Sequence, residues 1–258
     1  MPTREEKAKI VIIDVDERSL KQEGRWPWSR EKLAALVVAL QHQQVKLIGF
    51  DVVFSEEERN AVQQVLAHKT LSEQVKLELQ PLIPVLDGDK KFAQAITQKT
   101  VLGFFLHGAG GINSGVLPTP LLTVEPRDID KITINFMPDF TGNLPIFANA
   151  ALGEGFITTL PDVDGVMRRS PLILRYENGL FSSLSLELAR IYLNQSSIQL
   201  QMVKSGGQLR LESINLGNHK IYTDEAGLAL IPYKGKGKSY NYISATDILK
   251  NPNNMPIL

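Results

Sequence analysis

Asp14 and Asp16 stand two residues apart where the apolar run Ile10 to Val15 ends. Carboxylates so placed at the mouth of a strand could carry phosphoryl transfer. One attacks phosphorus, the other moves a proton, and a hard oxygen-ligated cation neutralises the charge. Asp51 closes a second apolar run, Leu47-Ile48-Gly49-Phe50. The three aspartates could therefore converge at the carboxyl edge of one sheet, the usual ligand position in open α/β folds, and hold a ligand or a divalent cation there. The competing reading is that each caps a loop, or that one pairs with Arg25 or Arg30.

The spacing of Asp14 and Asp16 is similar to that of haloacid-dehalogenase-type phosphotransferases and then departs from it. Arg18 stands where those enzymes want a small hydroxyl or β-branched residue, and no later strand ends in paired acids. Pro161-Asp162-Val163-Asp164-Gly165 starts like a calcium loop, but its glycine comes too early and no glutamate closes it. A turn held by its own aspartates fits better, with Arg168 and Arg169 reaching an acidic partner or alternating faces of a strand. Gly108 to Gly115 is a glycine-rich loop after a strand, yet Pro118 and Pro120 stand where a phosphate-binding helix would begin. His42, His68, His107 and His219 have no ligand spacing, and no Gly-x-Ser-x-Gly elbow supports a catalytic triad. Trp26-Pro27-Trp28 contains both tryptophans of the chain. They either wall a ligand pocket or partner surface, or pack their loop onto the sheet with Pro27 fixing its path.

The elements that must position these residues follow from periodicity. Ile10 to Val15 reads as a fully buried strand. Ser29 is a plausible N-cap, and Leu33, Leu36, Val37 and Leu40 recur at helical spacing with one apolar face. The run within Lys46 to Phe54 is the next strand, so strand, helix and strand form a βαβ unit with parallel strands. Residues 55–80 read as an exposed helix ended by Pro81 and Pro84. Asp89 to Gln98 reads as a short helix with Phe92, Ala95 and Ile96 inward, and Val101 to Leu106 as a third strand. Phe156 to Thr159 and Val166 to Tyr176 read as strands around the 161–165 turn. Ser182 or Ser183 caps a helix burying Leu184, Leu188, Ile191 and Tyr192. Gly206-Gly207, Gly217-Asn218 and Glu225-Ala226-Gly227 punctuate antiparallel hairpins over 198–233, and a last helix covers Ser244 to Lys250. The fold class is α/β: a parallel-core sheet with flanking helices over 1–120, then a mixed, antiparallel β-rich part over 121–258.

Composition narrows the function. The chain has 258 residues, 28 basic against 28 acidic, 43% hydrophobic residues and no cysteine. That balance gives no electrostatic footprint for nucleic acid, and disulfides, thiolate catalysis and cysteine-ligated zinc are excluded. The longest apolar run, Leu33 to Leu40, falls far short of the roughly 18–20 residues a membrane span needs. Met1 to Lys9 is polar and does not read as a signal peptide.

Against this background Ile12-Ile13-Asp14-Val15-Asp16-Glu17-Arg18-Ser19-Leu20 and Gly24-Arg25-Trp26-Pro27-Trp28-Ser29-Arg30 resemble the opening signature of CHASE2 domains. Ile48 to Phe54 resembles the family's second strand. Gly155-Phe156 and Asp162-Val163-Asp164-Gly165-Val166-Met167-Arg168-Arg169-Ser170-Pro171-Leu172 resemble its central motif, Phe181 to Ala189 the helix after it, and Ile231 to Gly235 with Ser244 to Leu249 its late part. The resemblance implies an extracytoplasmic sensor domain of a bacterial membrane receptor, on the periplasmic or extracellular side. It implies transmembrane helices and a cytoplasmic output module in the same chain, an unknown small-molecule ligand, a homodimer, and no catalysis or resident cofactor of its own. Members usually continue past the Asp247-like helix with a further strand, whereas this sequence stops at Leu258, as a fragment would. Asp14, Asp16, Trp26, Trp28, Arg30, Asp51, Asp162, Asp164 and Arg168 are the expected pocket residues or their support. The alternatives are the phosphotransferase using Asp14 and Asp16, and a protein-interaction module with Trp26 and Trp28 on its surface.

Overall fold

The computed structural model describes residues 10–68, 70–97, 99–235 and 239–252. The polar start and the Asn/Pro-rich end at 253–258 lie outside the described residues. In chain order the elements are β1 (Val11–Asp14), α1 (Glu17–Glu23), α2 (Arg30–His42), β2 (Ile48–Phe50), α3 (Ala61–Leu66), α4 (Glu73–Leu79), α5 (Gly88–Ala95), β3 (Thr100–His107), β4 (Leu122–Thr123), β5 (Asp139–Thr141), α6 (Pro145–Ala148) and β6 (Gly153–Phe156). There follow β7 (Arg169–Pro171), β8 (Ile173–Tyr176), β9 (Gly179–Ser182), α7 (Leu184–Tyr192), β10 (Gln199–Ser205), β11 (Gln208–Leu216), β12 (His219–Tyr222), β13 (Leu228–Leu230), β14 (Asn241–Ser244) and α8 (Ala245–Lys250). Two compact units result, the first from residues 1–45, 58–95 and 233–258, the second from 46–57 and 96–232. No helix among the described residues is long and apolar enough to cross a membrane.

In the first unit Ser29 caps α2 by accepting from the Lys32 amide, and Leu33, Leu36, Val37 and Leu40 are all buried as their spacing requires. On α5, Phe92 and Ala93 are buried, Ala93 taking the place expected of Ala95. Residues 55–80 form two short helices rather than one. Asn60 and Ser72 each accept a backbone N–H and start a new helix, and α4 has no buried residue to hold it in line with α3. Strand β1 is half-buried rather than fully buried. It runs parallel to β14, with Val11 opposite Asn241 and Asp14 opposite Ser244. The expected β1–α2–β2 unit is therefore not closed by pairing of its two strands: the ladder of β1 is taken by a strand about 230 residues later.

The second unit is built on β3, which β2 and β6 flank in parallel and β5 meets antiparallel at its carboxyl end. Helix α7, capped by Ser183, lies unusually close over this sheet because glycines face it. A Cβ on Gly49 would lie 2.7 Å from the Leu188 side chain, and one on Gly155 would lie 2.5 Å from the Leu184 amide. Leu186 and Glu187 are the fully buried residues of the helix, while Leu184, Leu188, Ile191 and Tyr192 are half-buried. Strands β4, β9 and β8 form an antiparallel sheet, and β10, β11 and β12 another. The latter turns at Gly206-Gly207 and Gly217, which hold positive φ as hairpin turns demand. The third anticipated hairpin does not form, since β13 pairs with β7 and not with β12. One apolar core gathers Ile173, Leu180, Leu186, Ile214 and Leu216 among others, and a second gathers Phe104, Leu106, Phe156, Leu174 and Phe181.

Candidate functional site

The 161–169 segment brings two aspartates and two arginines into one network of ion pairs. The Asp162 amide donates to the Val166 carbonyl (3.0 Å), the Gly165 amide donates to the Asp162 carbonyl (2.8 Å), and Gly165 has φ +78°. This tight turn returns Arg168 and Arg169 over the aspartates. Arg168 grips Asp164 through both nitrogens (2.9 and 2.8 Å) and Asp162 through one (3.1 Å). Arg169 reaches the other Asp162 oxygen (3.0 Å) and Asp224 (2.9 Å). Asp224 in turn accepts from the Ala226 and Leu228 amides, holding the turn into β13. These arginine hydrogen bonds, foremost those of Arg168, hold the Asp162 and Asp164 carboxyls below their ordinary value and raise the Arg168 guanidinium. Asp162, Asp164 and Arg168 are therefore ionised at neutral pH.

Beside the clamp lies an open groove of about 640 Å³, lined by Asn135, Leu160, Asp162, Val163, Arg168 and Leu228 among others. Val163 at the tip is fully exposed. Asp162, Asp164 and Arg168 were legible as a motif. Asp224 was not, because only the pairing of β13 with β7 brings it to Arg169.

In the first unit Asp16 begins α1 by accepting from the Ser19 amide (2.8 Å), and the same oxygen accepts from the Ser244 hydroxyl (2.8 Å). Those bonds, the Ser19 amide first, draw its carboxyl below the ordinary value. The Ser19 hydroxyl lies 2.9 Å from that of Ser244 and accepts from the Thr246 amide. Arg18 holds Asp247 with two bonds, 2.9 and 2.5 Å. Asp16, Ser19 and Arg18 thus fasten β14 and α8 to β1 and α1. Asp14 is exposed at the end of β1. Asp51, in the other unit, is exposed after β2 and has no hydrogen bond or ion pair among the described residues. No group of three or more histidine, aspartate or glutamate side chains there is placed to hold a metal ion.

Trp28 is 4% exposed and donates to the Gly24 carbonyl, whereas Trp26, 6.1 Å away, is 40% exposed. Trp28 thus packs its loop, and Trp26 carries the exposed ring of the pair. Arg30 binds Asp89 (3.1 Å), whose other oxygen accepts from the Glu58 amide (2.9 Å). The glycine-rich loop does bind an anion, but one of the protein's own: the Gly110 and Gly111 amides both donate to Asp139.

The model of the CHASE2 domain family matches residues 1–257. Comparisons with curated proteins and with solved structures give no significant match.

Proposed function

The chain belongs to the CHASE2 family of extracytoplasmic sensor domains, and from that premise we propose that it is the ligand-sensing part of a bacterial membrane receptor. Transmembrane helices of the same polypeptide and a cytoplasmic histidine kinase, nucleotide cyclase or similar module would carry the signal inward. A homodimer suits such output enzymes. The observation that carries the reading is the clamp of Asp162, Asp164, Arg168, Arg169 and Asp224 in the central motif, set beside an open groove. A small molecule seated there meets charged groups held in one arrangement by each other. It acts by binding the clamped and released arrangements with different affinity. The phosphotransferase reading needs Asp16 free to move a proton, and its Oδ1 is committed to Ser19 and Ser244.

The test uses the receptor expressed from its whole reading frame. Protease added outside spheroplasts is expected to cut at the exposed Val163 turn, and Asp162→Ala is expected to abolish stimulus-dependent output while the isolated domain keeps its circular dichroism. Protection from external protease sinks the receptor reading. An unchanged response in Asp162→Ala removes the clamp from sensing.

A further inference from the structure

Four residues of the second unit stand in one row across a sheet. Phe136 is the bridge partner of Arg175, Arg175 lies opposite Leu180, and Leu180 lies opposite Leu122. Directly opposed residues send their side chains to one face. Leu180 is fully buried and seals the core, but Phe136 is 48% and Leu122 44% exposed. Arg175 is partly buried, its guanidinium 4.6 Å from the centroid of the Phe136 ring.

The hydrogen bonding of this arginine is incomplete. Nη1 donates to the Glu177 carbonyl (3.0 Å), and Nε is sealed from solvent with no acceptor. That leaves Nη2 as the open edge. Arg18, Arg30, Arg168, Arg169, Arg190 and Arg210 each grip a carboxylate. Arg175 grips none among the described residues; Asp130 acts on it without forming an ion pair. Burial accordingly draws its guanidinium below the ordinary value, with Asp130 opposing. A stem packed over apolar surface is common for arginine. A partly buried cation with no carboxylate in ion-pair contact is costly, and such costs concentrate where a ligand supplies what is missing.

We infer that Arg175, with the exposed Phe136 ring against it, is a recognition patch for an organic carboxylate with an apolar body. The guanidinium takes the carboxylate, as its planar fork favours, and the exposed Phe136 ring takes the body. The patch shares no residue with the lining of the groove, and the inference leans on the sensor reading only for its purpose. Binding can be tested without any receptor.

The 258-residue chain is titrated with benzoate, acetate and inorganic phosphate, following thermal unfolding and the NMR signals of the Arg175 Nε–H and the Phe136 ring. A saturable benzoate response is expected, at least tenfold stronger than that to acetate or phosphate, weakened in Phe136→Ala and lost in Arg175→Met. The Arg175→Met protein is expected to melt no lower than the parent, because it keeps an apolar stem and removes a partly buried cation that has no ion-pair partner among the described residues. A lower melting temperature marks the arginine as structural and overturns the inference. So does an equal benzoate response in parent and Arg175→Met, a stronger response to phosphate, or no saturable response at all. Benzoate binding together with failure of the spheroplast test would refute the receptor and leave the patch standing.

Discussion

Glu154 on β6 is 8% exposed, and its Oε1 accepts from the Asn143 amide group at 2.7 Å. Asn143 is itself fully buried and also binds the Phe54 amide and the Gly103 carbonyl, so this pair ties three segments of the second unit together. Burial raises the Glu154 carboxyl above its ordinary 4.5, and the Asn143 bond offsets this only in part. The folded protein therefore keeps this proton to higher pH than the unfolded chain does. The resulting stabilisation is complete below the unfolded value and is lost as pH rises through the raised folded one. Glu154→Gln retains shape and removes the ionisation. Urea unfolding is expected to find it more stable than the parent at pH 7–8, with the difference vanishing near pH 4. A variant weaker than the parent at every pH would mean that the charged form has a counter-charge in the fold.

The relation of α7 to its sheet depends on what the glycines lack. At Gly155 a Cβ would meet the Leu184 amide at 2.5 Å and the Ser183 carbonyl carbon at 2.6 Å, both backbone atoms that cannot rotate away. Gly155→Ala is expected to destabilise by about 1–3 kcal/mol or more, as overpacking does. Ser183→Ala removes the cap on the Leu186 amide together with the contact to the Ser185 hydroxyl and is expected to cost about 1 kcal/mol. Equilibrium unfolding of both variants checks the order, and a milder effect at Gly155 would mean that α7 can lift from β6. The helices and their caps were legible because Ser29, Ser183 and the 3.6-residue spacing are local signals. The exposed 55–80 segment misled for the same reason: without apolar periodicity, nothing in it marked the break at Ser72.

At the scale of the whole molecule, neither unit is one continuous stretch of chain. The first is closed by β14 and α8, whose residues satisfy β1, Asp16 and Arg18. Removing residues 240–258 leaves the β1 ladder open, Ser19 buried without Ser244, and Arg18 without Asp247. The truncated chain is expected to lose the near-ultraviolet circular dichroism of Trp28, the buried tryptophan of this unit, and to unfold non-cooperatively in urea. Unaltered signal and a single sharp transition would show that α1 and α2 hold the unit without its last strand. Sequence alone determined the α/β class, the capped starts of α2 and α7, the turns at Gly206-Gly207 and Gly217 and, through motifs spread over nearly its whole length, the family. These are encoded by neighbours in the chain or by residues kept in order along it. Only tertiary structure decided that β1 takes β14 and not β2, that β13 takes β7 and not β12, that Asp224 completes the clamp, and that Trp28 is buried while Arg175 goes without a carboxylate. An unpaired strand offers the same ladder of N–H and C=O groups to any partner. Which partner wins depends on packing and charge contacts between residues far apart in the chain, and those contacts exist only once the chain has folded.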